Sequence, residues 1–306
     1  MNNMTVNFAP HIHDPSSTSH IMRDVLIALS PALAGSIFIF GIRAALVILV
    51  CVASAVLFEW GYQRIMRKKE TISDLSACVT GLLLAFNLPV DIPLWQAIFG
   101  SGVAIILVKQ FFGGLGKNFA NPALTARIVM VISFPTAMST WAEVPQAVSS
   151  ATPLALLSTG DLAALPSNLD LFLGLHGGSL GETSELALLI GGIYLLARRV
   201  ITWHIPVTFI GTVFLLTALL GEQPTVHLLA GGLFIGAIFM ATDYPTSPQT
   251  SGGRIIFGIG CGLLTVLIRV YGNLPEGVSF AILFMNCVVP FINKLTLRKA
   301  LGGKKA

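Results

Sequence analysis

The feature that most constrains this chain is a series of apolar segments that recurs from one end to the other. Hydrophobic residues make up 54% of the 306 residues and charged residues only 10%. A helix of about 20 apolar residues crosses the roughly 30 Å hydrocarbon layer of a bilayer. These segments predict an all-α, polytopic membrane protein with about ten transmembrane helices, and the net charge of +4 does not indicate a nucleic-acid partner. The ten segments are 22–41, 44–63, 75–88, 94–112, 122–137, 185–199, 204–220, 227–241, 253–270 and 277–293.

The basic residues fall on one side of the predicted membrane. If the N-terminus is cytoplasmic and the chain crosses ten times, the basic clusters at 64–69 and 294–305 both lie in the cytoplasm. Only Arg43 and Arg269 fall near the opposite face. By the positive-inside rule we expect both termini to be cytoplasmic and residues 138–184 to be external. The polar N-terminal residues give no cleavable signal peptide.

An internal repeat supports this count. The first half, 1–137, contains the N-terminal tail and five segments, and the second half, 185–306, contains five segments and a basic C-terminus, with the external loop 138–184 between them. A glycine-rich stretch opens at 99–102 in one half and at 257–260 in the other. Five crossings per half would invert the second copy relative to the first. Glycine-rich helices also resemble each other by composition alone.

The third and eighth segments are unusually short, near 21 Å at helical rise. Each is followed by a polar residue and a proline, in Asn87-Leu88-Pro89 and in Asp243-Tyr244-Pro245. Short, interrupted helices at matching positions of inverted halves indicate a site near the middle of the bilayer. The alternative is two ordinary helices whose ends lie a few residues further out.

Several motifs, in this order and on this topology, resemble one family of membrane proteins. The family includes the D subunit of the Rnf complex and the B subunit of the sodium-translocating NADH:quinone reductase. The motifs that carry the resemblance are IMRDVL at 21–26, TISD at 71–74, TGLL at 80–83, KQFFGGLG at 109–116, NPA at 121–123, GGSLGE at 177–182, MATDYPTSP at 240–248 and PEGVSF at 275–280.

The resemblance implies a flavin-carrying membrane subunit of an Rnf-type complex, which couples ferredoxin/NAD redox chemistry to Na⁺ or H⁺ translocation. It implies a bacterial or archaeal cytoplasmic membrane. The implied partners are an external flavin-carrying subunit, other membrane subunits, NADH- and ferredoxin-interacting subunits, a flavin transferase and the lipid bilayer. No nucleotide or iron–sulfur motif occurs, so we expect no complete enzyme, no catalytic residue and no metal site in this chain alone.

Two alternatives stay open. One is the B subunit of the quinone reductase, which usually has a longer N-terminal extension, whereas apolar residues begin at 22 in this chain. The other is a channel or secondary transporter without a redox role, because inverted repeats with broken helices are widespread among transporters.

Thr152 is the residue to which the resemblance assigns a cofactor. In the family a transferase moves FMN from FAD onto a threonine in the pattern Asp-Gly-x-Ser-Gly-Ala-Thr. Ser149, Ser150, Ala151 and Thr152 occupy the last four places, although the first two places and the second glycine differ. The resemblance therefore implies FMN joined to Thr152 by a phosphoester bond. A helix that starts at Pro153 would present free N–H groups beside the phosphate.

A second, non-covalent flavin, riboflavin, is also implied, toward the cytoplasmic side. Small residues would let the backbone approach its ring, and amide or hydroxyl groups would bond its edges. The same residue types also form helix caps and turns. The candidate residues are Gly113, Gly114, Asn118, Asn121, Asp243 and Thr246.

Ionisable residues inside or beside the apolar segments form a last group. Such groups are costly in a membrane and are usually functional. Arg127 is expected to pair with Asp243 or with lipid phosphates. His176, Glu182 and Glu185 either line an ion path or belong to a solvated external loop.

Overall fold

The computed structural model describes residues 17–141, 152–182, 184–272 and 277–297, which contain helices and turns and no β-strand. Fourteen α-helices are present in these ranges. They are α1 (Thr18–Phe40), α2 (Ile42–Ile65), α3 (Ser76–Phe86), α4 (Leu94–Gly102), α5 (Pro122–Ser133), α6 (Pro135–Ser139), α7 (Pro153–Thr159), α8 (Asn168–Leu173), α9 (Glu185–Ala197), α10 (His204–Leu219), α11 (Pro224–Leu229), α12 (Leu233–Ile235), α13 (Ser251–Tyr271) and α14 (Val278–Thr296).

Helices α1, α2, α13 and α14 are each long and apolar enough to cross a membrane. They correspond to predicted segments one, two, nine and ten. Helix α4 continues without a break into a π-helix at Val103–Gln110, so that segment four is also one continuous helical rod. Helices α3, α5, α9 and α10 are shorter apolar helices and coincide with segments three, five, six and seven. The prediction of an all-helical polytopic architecture is therefore confirmed.

The predicted fifth segment, 122–137, is wrong at its C-terminal end. Helix α5 ends at Ser133, and α6 is a separate short helix that begins at Pro135. The intervening Phe134 has φ −133° and ψ 55°, outside the helical region. A residue before proline is sterically disfavoured in the helical conformation, which explains the break.

The third segment is short, as the sequence predicts, whereas the eighth is interrupted inside the predicted range 227–241 rather than only at its end. Helix α3 has 11 residues, about 16 Å at helical rise. In segment eight, α11 ends before Gly231 and Gly232, whose φ angles of +72° and +65° suit glycine and stop the helix. The chain then forms α12, which continues as a π-helix over Gly236–Met240. We call α3 the first half-helix, and α12 with its π-helical continuation to Met240 the second half-helix. Neither is long enough to cross the hydrocarbon layer alone.

The two half-helices come together around the segment 177–182. Nδ2 of Asn87, just after α3, lies 3.7 Å from Sδ of Met240 at the end of the second half-helix. The N–H of Gly181 donates to the carbonyl of Phe86 at 2.8 Å. A side chain on Gly181 would meet both half-helices, because its Cβ would lie 2.4 Å from Cβ of Phe86 and 2.9 Å from Cδ1 of Ile235.

Close helix contacts elsewhere depend on small residues. Helix α9 packs against α1 at Gly191, where an added Cβ would lie 2.1 Å from the carbonyl oxygen of Ala28. Helix α13 packs against α10 in the same way, since a Cβ on Gly262 would lie 2.6 Å from Cβ of Thr212. In a bilayer, such approach lets van der Waals contacts between helices compete with lipid contacts.

The segments that connect the helices lie at the two ends of the bundle. We call one the Asp243 end. It contains the start of α1, where Asp24 accepts hydrogen bonds from Arg198 at 3.3 Å. We call the other the Thr152 end. It contains α7, α8 and the first turn of α2, where Nη2 of Arg43 donates to the carbonyl of Ile92 at 3.2 Å.

Candidate functional site

Thr152 caps the N-terminus of α7. A helix begins at Pro153, as the sequence predicts, and proline suits that first position. Oγ1 of Thr152 accepts a hydrogen bond from the N–H of Ala155 at 3.2 Å, and the residue is only 7% exposed. Ser149, Ser150 and Ala151, the other motif residues, lie outside the described residues. The hydroxyl is thus fixed in place by the helix that follows it.

A cavity of about 90 Å³ lies at the Asp243 end. Its polar lining includes Asn118, Asn121 and Asp243, together with Ser76 and Lys109. Its apolar lining comes mainly from α1, α3 and the end of α9. By volume it has room for a few water molecules or an ion.

Only part of the predicted second flavin site lines this cavity. Asn121 caps α5 through Oδ1 and donates from Nδ2 to the carbonyl of Met240 at 3.3 Å. Gly113 and Gly114 form a turn with φ +108° and +93° and lie outside the lining, as does Thr246. The alternative of caps and turns therefore accounts for Asn121 and the two glycines, whereas Asn118 keeps a buried Oδ1 without a hydrogen-bond partner.

Asp243 follows the second half-helix and is partly buried. Burial raises the pKa of its carboxyl to about 6, and the hydrogen bond that it accepts from Oγ1 of Thr246 at 3.2 Å opposes this shift. Asp243 is therefore poised to exchange a proton near neutral pH. Arg127, the partner expected under one of the two alternatives above, forms an ion pair with Glu182.

Arg127 instead pairs with Glu182. Its Nη1 lies 3.5 Å from Oε1 of Glu182 and donates to Oδ1 of Asn87 at 2.7 Å. Both charged side chains are at most 4% exposed. The pair joins α5 to the segment 177–182 and to the end of α3, where the two half-helices meet.

The alternative of a solvated loop for His176, Glu182 and Glu185 is wrong. These residues are 2%, 3% and 1% exposed. Burial lowers the pKa of the His176 imidazole, while its hydrogen bond with the Gly177 carbonyl and the nearby Glu182 oppose that shift. The segment 177–182 packs between the half-helices, and its polar side chains are buried with it.

A buried ion pair that the sequence alone did not predict lies beside the cavity. Nζ of Lys109 is 2.7 Å from Oε2 of Glu59, and the two side chains are 1% and 0% exposed. Lys109 also donates to Oγ of Ser76 at 2.6 Å. Oε1 of Glu59 accepts from Gln110 at 3.0 Å, from Thr71 at 3.2 Å and from Gln63 at 3.3 Å. The sequence did contain a signal for this pair, since Glu59 is an acid inside the predicted second segment. Acidic residues in such segments are rare and are usually paired with a base.

Comparison with known proteins places this architecture in a family. The model of the NQR2, RnfD, RnfE family matches residues 5–302. The chain is 48% identical to the D subunit of the Na⁺-translocating ferredoxin:NAD⁺ oxidoreductase complex of Acetobacterium woodii, over 99% of this chain and 96% of the relative. It is 42% identical to the D subunit of the proton-translocating ferredoxin:NAD⁺ oxidoreductase complex of Clostridium ljungdahlii, over 99% and 98%. It is 40% identical to the D subunit of the ion-translocating oxidoreductase complex of Stutzerimonas stutzeri, over 94% and 93%.

These matches extend over nearly the whole chain and agree with the helical, multi-pass membrane architecture. The chain therefore belongs to the NQR2, RnfD, RnfE family.

Proposed function

We propose that this chain is the D-type membrane subunit of an Rnf complex, which couples electron transfer between ferredoxin and NAD to ion translocation, and that it carries FMN on Thr152. The observation that carries the proposal is the near full-length similarity to relatives named as the D subunits of such complexes. One of those relatives is named for sodium and another for protons, so the similarity favours neither ion.

Thr152 suits the attachment because its hydroxyl is held at a fixed position. Esterification would join Oγ1 to the phosphorus of the FMN half of FAD, break the pyrophosphate bond and release AMP, with the hydroxyl proton lost. The flavin would supply an electron acceptor and donor at the Thr152 end. This chain holds the attachment point in place through the hydrogen bond that Oγ1 of Thr152 accepts from the N–H of Ala155.

The burial of Thr152 sets a condition on this reaction. Thr152 as a whole is only 7% exposed, so the packed structure offers its hydroxyl little access to a second enzyme. The transferase must therefore act while α7 is away from its packed position, before folding is complete or in an opened state.

We infer that the membrane arrangement is ten crossings in two inverted five-helix halves, with both termini and the Asp243 end in the cytoplasm. The distribution of lysine and arginine supports this orientation. In this orientation Thr152 would lie outside. The meeting of two half-helices beside Asp243, Glu182 and Arg127 supports an ion route between the halves.

The second flavin, riboflavin, is proposed for the cavity at the Asp243 end. Asn118, Asn121 and Asp243 supply polar groups there, and the unpartnered Oδ1 of Asn118 supports a ligand. A cavity of about 90 Å³ is smaller than the usual ligand pocket of about 300–1,000 Å³. Riboflavin would thus need α1 or the 113–121 turn to move outward.

The remaining partners follow from the same proposal. The chain lacks a nucleotide-binding motif, so other subunits would bind NADH and ferredoxin, and an external flavin-carrying subunit would meet the Thr152 end. The B subunit of a sodium-translocating quinone reductase is the second candidate, because the family description includes NQR2. The names of two relatives, as D subunits of ferredoxin:NAD⁺ oxidoreductase complexes, favour the Rnf complex.

The test is covalent flavin in the denatured chain. The full chain, co-expressed with a flavin transferase, should fluoresce in a denaturing gel under ultraviolet light. Thr152→Ala should abolish the signal, and Thr152→Ser should retain part of it because a hydroxyl remains. Fluorescence that persists in Thr152→Ala would move the attachment elsewhere, with Thr159 as the next candidate.

A further inference from the structure

A second cavity at the Asp243 end is lined by two arginines. Its volume is about 250 Å³. Arg199 follows α9, Thr202 lies in the turn before α10, and Arg254 is near the start of α13. The rest of its polar lining comes from the segment that follows the second half-helix, through Thr242, Tyr244 and Ser247. We call it the Arg254 cavity.

Neither of the two arginines is neutralised by an acid. No carboxylate lines the Arg254 cavity, and within the described ranges none lies within 4 Å of either guanidinium. Two other arginines at this end are paired, since Arg198 lies 3.3 Å from Asp24 and Arg64 lies 3.9 Å from Glu70. Two unpaired guanidinium groups on the wall of one cavity indicate an anionic ligand.

The guanidinium of Arg254 is held in place with one nitrogen left over. Its Nε donates to the carbonyl of Pro248 at 3.1 Å, and its Nη1 donates to Oγ1 of Thr202, also at 3.1 Å. Nη2 makes no hydrogen bond to the part of the chain that the structure describes. It is therefore available to donate to an oxygen of a ligand, and guanidinium groups suit phosphate oxygens in particular.

The backbone of Arg199 is in an uncommon conformation for its residue type. Its φ is +57°, in the left-handed region that glycine usually occupies after a helix. The N–H groups of Arg199 and Val200 donate to the carbonyls of Leu196 and Leu195 at 3.0 and 2.9 Å and close α9. The exposed Arg199 side chain has no hydrogen bond or ion pair to any described residue. The position thus presents a free cation where the backbone alone would favour glycine.

The surroundings of the Arg254 cavity are those of a membrane surface. Trp203, in the turn that lines the cavity, is 54% exposed and stacks on His204 with ring centroids 4.3 Å apart. Tryptophan is enriched where membrane and water meet, and the apolar helix α10 begins at His204. Leu196 at the end of α9 and Val207 in the first turn of α10 are exposed apolar residues on either side of the turn.

From these observations we propose that the Arg254 cavity binds the phosphate group of an anionic phospholipid, in the cytoplasmic leaflet under the proposed orientation. Basic pockets between transmembrane helices suit anionic headgroups on that side. Arg199 and Nη2 of Arg254 bind the phosphate, and the acyl chains run along the exposed apolar residues of α9 and α10. The lipid joins the turn before α10 and the start of α13 to the segment that follows the second half-helix.

The test is a titration of the full chain, purified in detergent, with phosphatidylglycerol or phosphatidylcholine, followed by native mass spectrometry. The two lipids have the same phosphate group and the same acyl chains, but only phosphatidylglycerol has a net negative charge. An arginine near a membrane surface contributes about fivefold to the affinity for an anionic lipid, so the two together should give the wild type a preference of about 25-fold for phosphatidylglycerol.

Three variants locate the preference. Arg199→Gln should lower it about fivefold without disturbing the fold, because this side chain is exposed and bonds to no described residue. Arg199→Lys keeps the charge and should retain most of the preference. Arg64→Gln is the matched control, since it removes an arginine at the same end that does not line the Arg254 cavity, and it should bind both lipids as the wild type does.

Three outcomes would overturn the site. They are equal binding of the two lipids by the wild type, an unchanged preference in Arg199→Gln, and an equal loss of preference in Arg64→Gln and Arg199→Gln, which would indicate diffuse surface charge. A parallel titration adds inorganic phosphate to the complex with phosphatidylglycerol. Displacement of the lipid by an equal concentration of phosphate would assign the cavity to a free anion and overturn the lipid as its ligand, whereas retention of the lipid supports the proposal.

Discussion

Replacing Lys109 by methionine should strongly destabilise the protein. The substitution keeps the length and most of the volume of the side chain but removes its charge. Glu59 would remain fully buried, at 0% exposure, without its 2.7 Å partner. Because no water solvates an unpaired charge inside a bundle surrounded by lipid, the free-energy cost of the unpaired carboxylate is high.

The hydrogen bonds around the pair set the size of the effect. Removing one partner of a buried pair costs about 3–5 kcal/mol. In Lys109→Met, Glu59 still accepts hydrogen bonds from Gln110, Thr71 and Gln63, so we expect about 3 kcal/mol, the lower limit. In Glu59→Leu those three donors also lose their acceptor, and within the described part of the chain the buried ammonium keeps only Ser76, so we expect about 5 kcal/mol, the upper limit.

The matched control is the double variant Glu59→Gln with Lys109→Met. It removes both charges and keeps an acceptor for the neighbouring amides, so it should be more stable than either single variant that leaves one charge behind. The free energy of unfolding is measured by titration with denaturing detergent in mixed micelles, followed by circular dichroism. A Lys109→Met protein as stable as the wild type, or a double variant less stable than both single variants, would refute this reasoning.

Three further predictions concern other parts of the chain. Asp243→Asn should stabilise the protein above pH 6, by up to about 3 kcal/mol, because the carboxyl pKa of about 6 in the folded state exceeds the unfolded value near 4. The difference in stability between the two proteins should vanish as the pH falls toward 4. Thermal unfolding of both proteins between pH 4 and pH 8 measures this difference, and parallel stability profiles would contradict the prediction. Gly191→Val should abolish accumulation of folded protein, because its Cβ would lie 2.1 Å from the Ala28 carbonyl, whereas Gly61→Val, with nothing within 4 Å, should accumulate normally; size-exclusion chromatography distinguishes them. Ser158→Cys, in a background lacking the four native cysteines, should react with an impermeant maleimide on intact cells, and labelling only after lysis would invert the proposed orientation.

The helices that cross the bundle could be predicted because apolar length is a local property. Helix α1 occupies 18–40 where the sequence predicts 22–41, and α13 occupies 251–271 where it predicts 253–270. The break at Gly231 and Gly232 was missed, because it lies inside the apolar segment 227–241 that the sequence predicts as one helix. The end of segment five was missed because apolar composition continues past Phe134, whereas Pro135 stops the helix.

The side-chain partners could not be predicted, because they depend on which helices pack together. Arg127 and Glu182 are far apart in sequence and meet only because the segment 177–182 inserts between two half-helices. Polarity suggested a solvated loop there. Hydrogen bonds from Leu180 and Gly181 to Leu88 and Phe86 satisfy its backbone, so it can be buried. The cavity lined by α7, α11 and the end of α13 likewise has walls from three distant parts of the chain.

The central claim is that this family member carries its flavin on Thr152, and mass spectrometry of the purified full chain tests it most directly. After proteolysis, the peptide that contains Thr152 should have the mass of one FMN joined with loss of water, and fragmentation should place the added mass on Thr152 rather than on Ser149 or Ser150. An unmodified peptide from protein co-expressed with a flavin transferase, or added mass on another residue, would contradict the account.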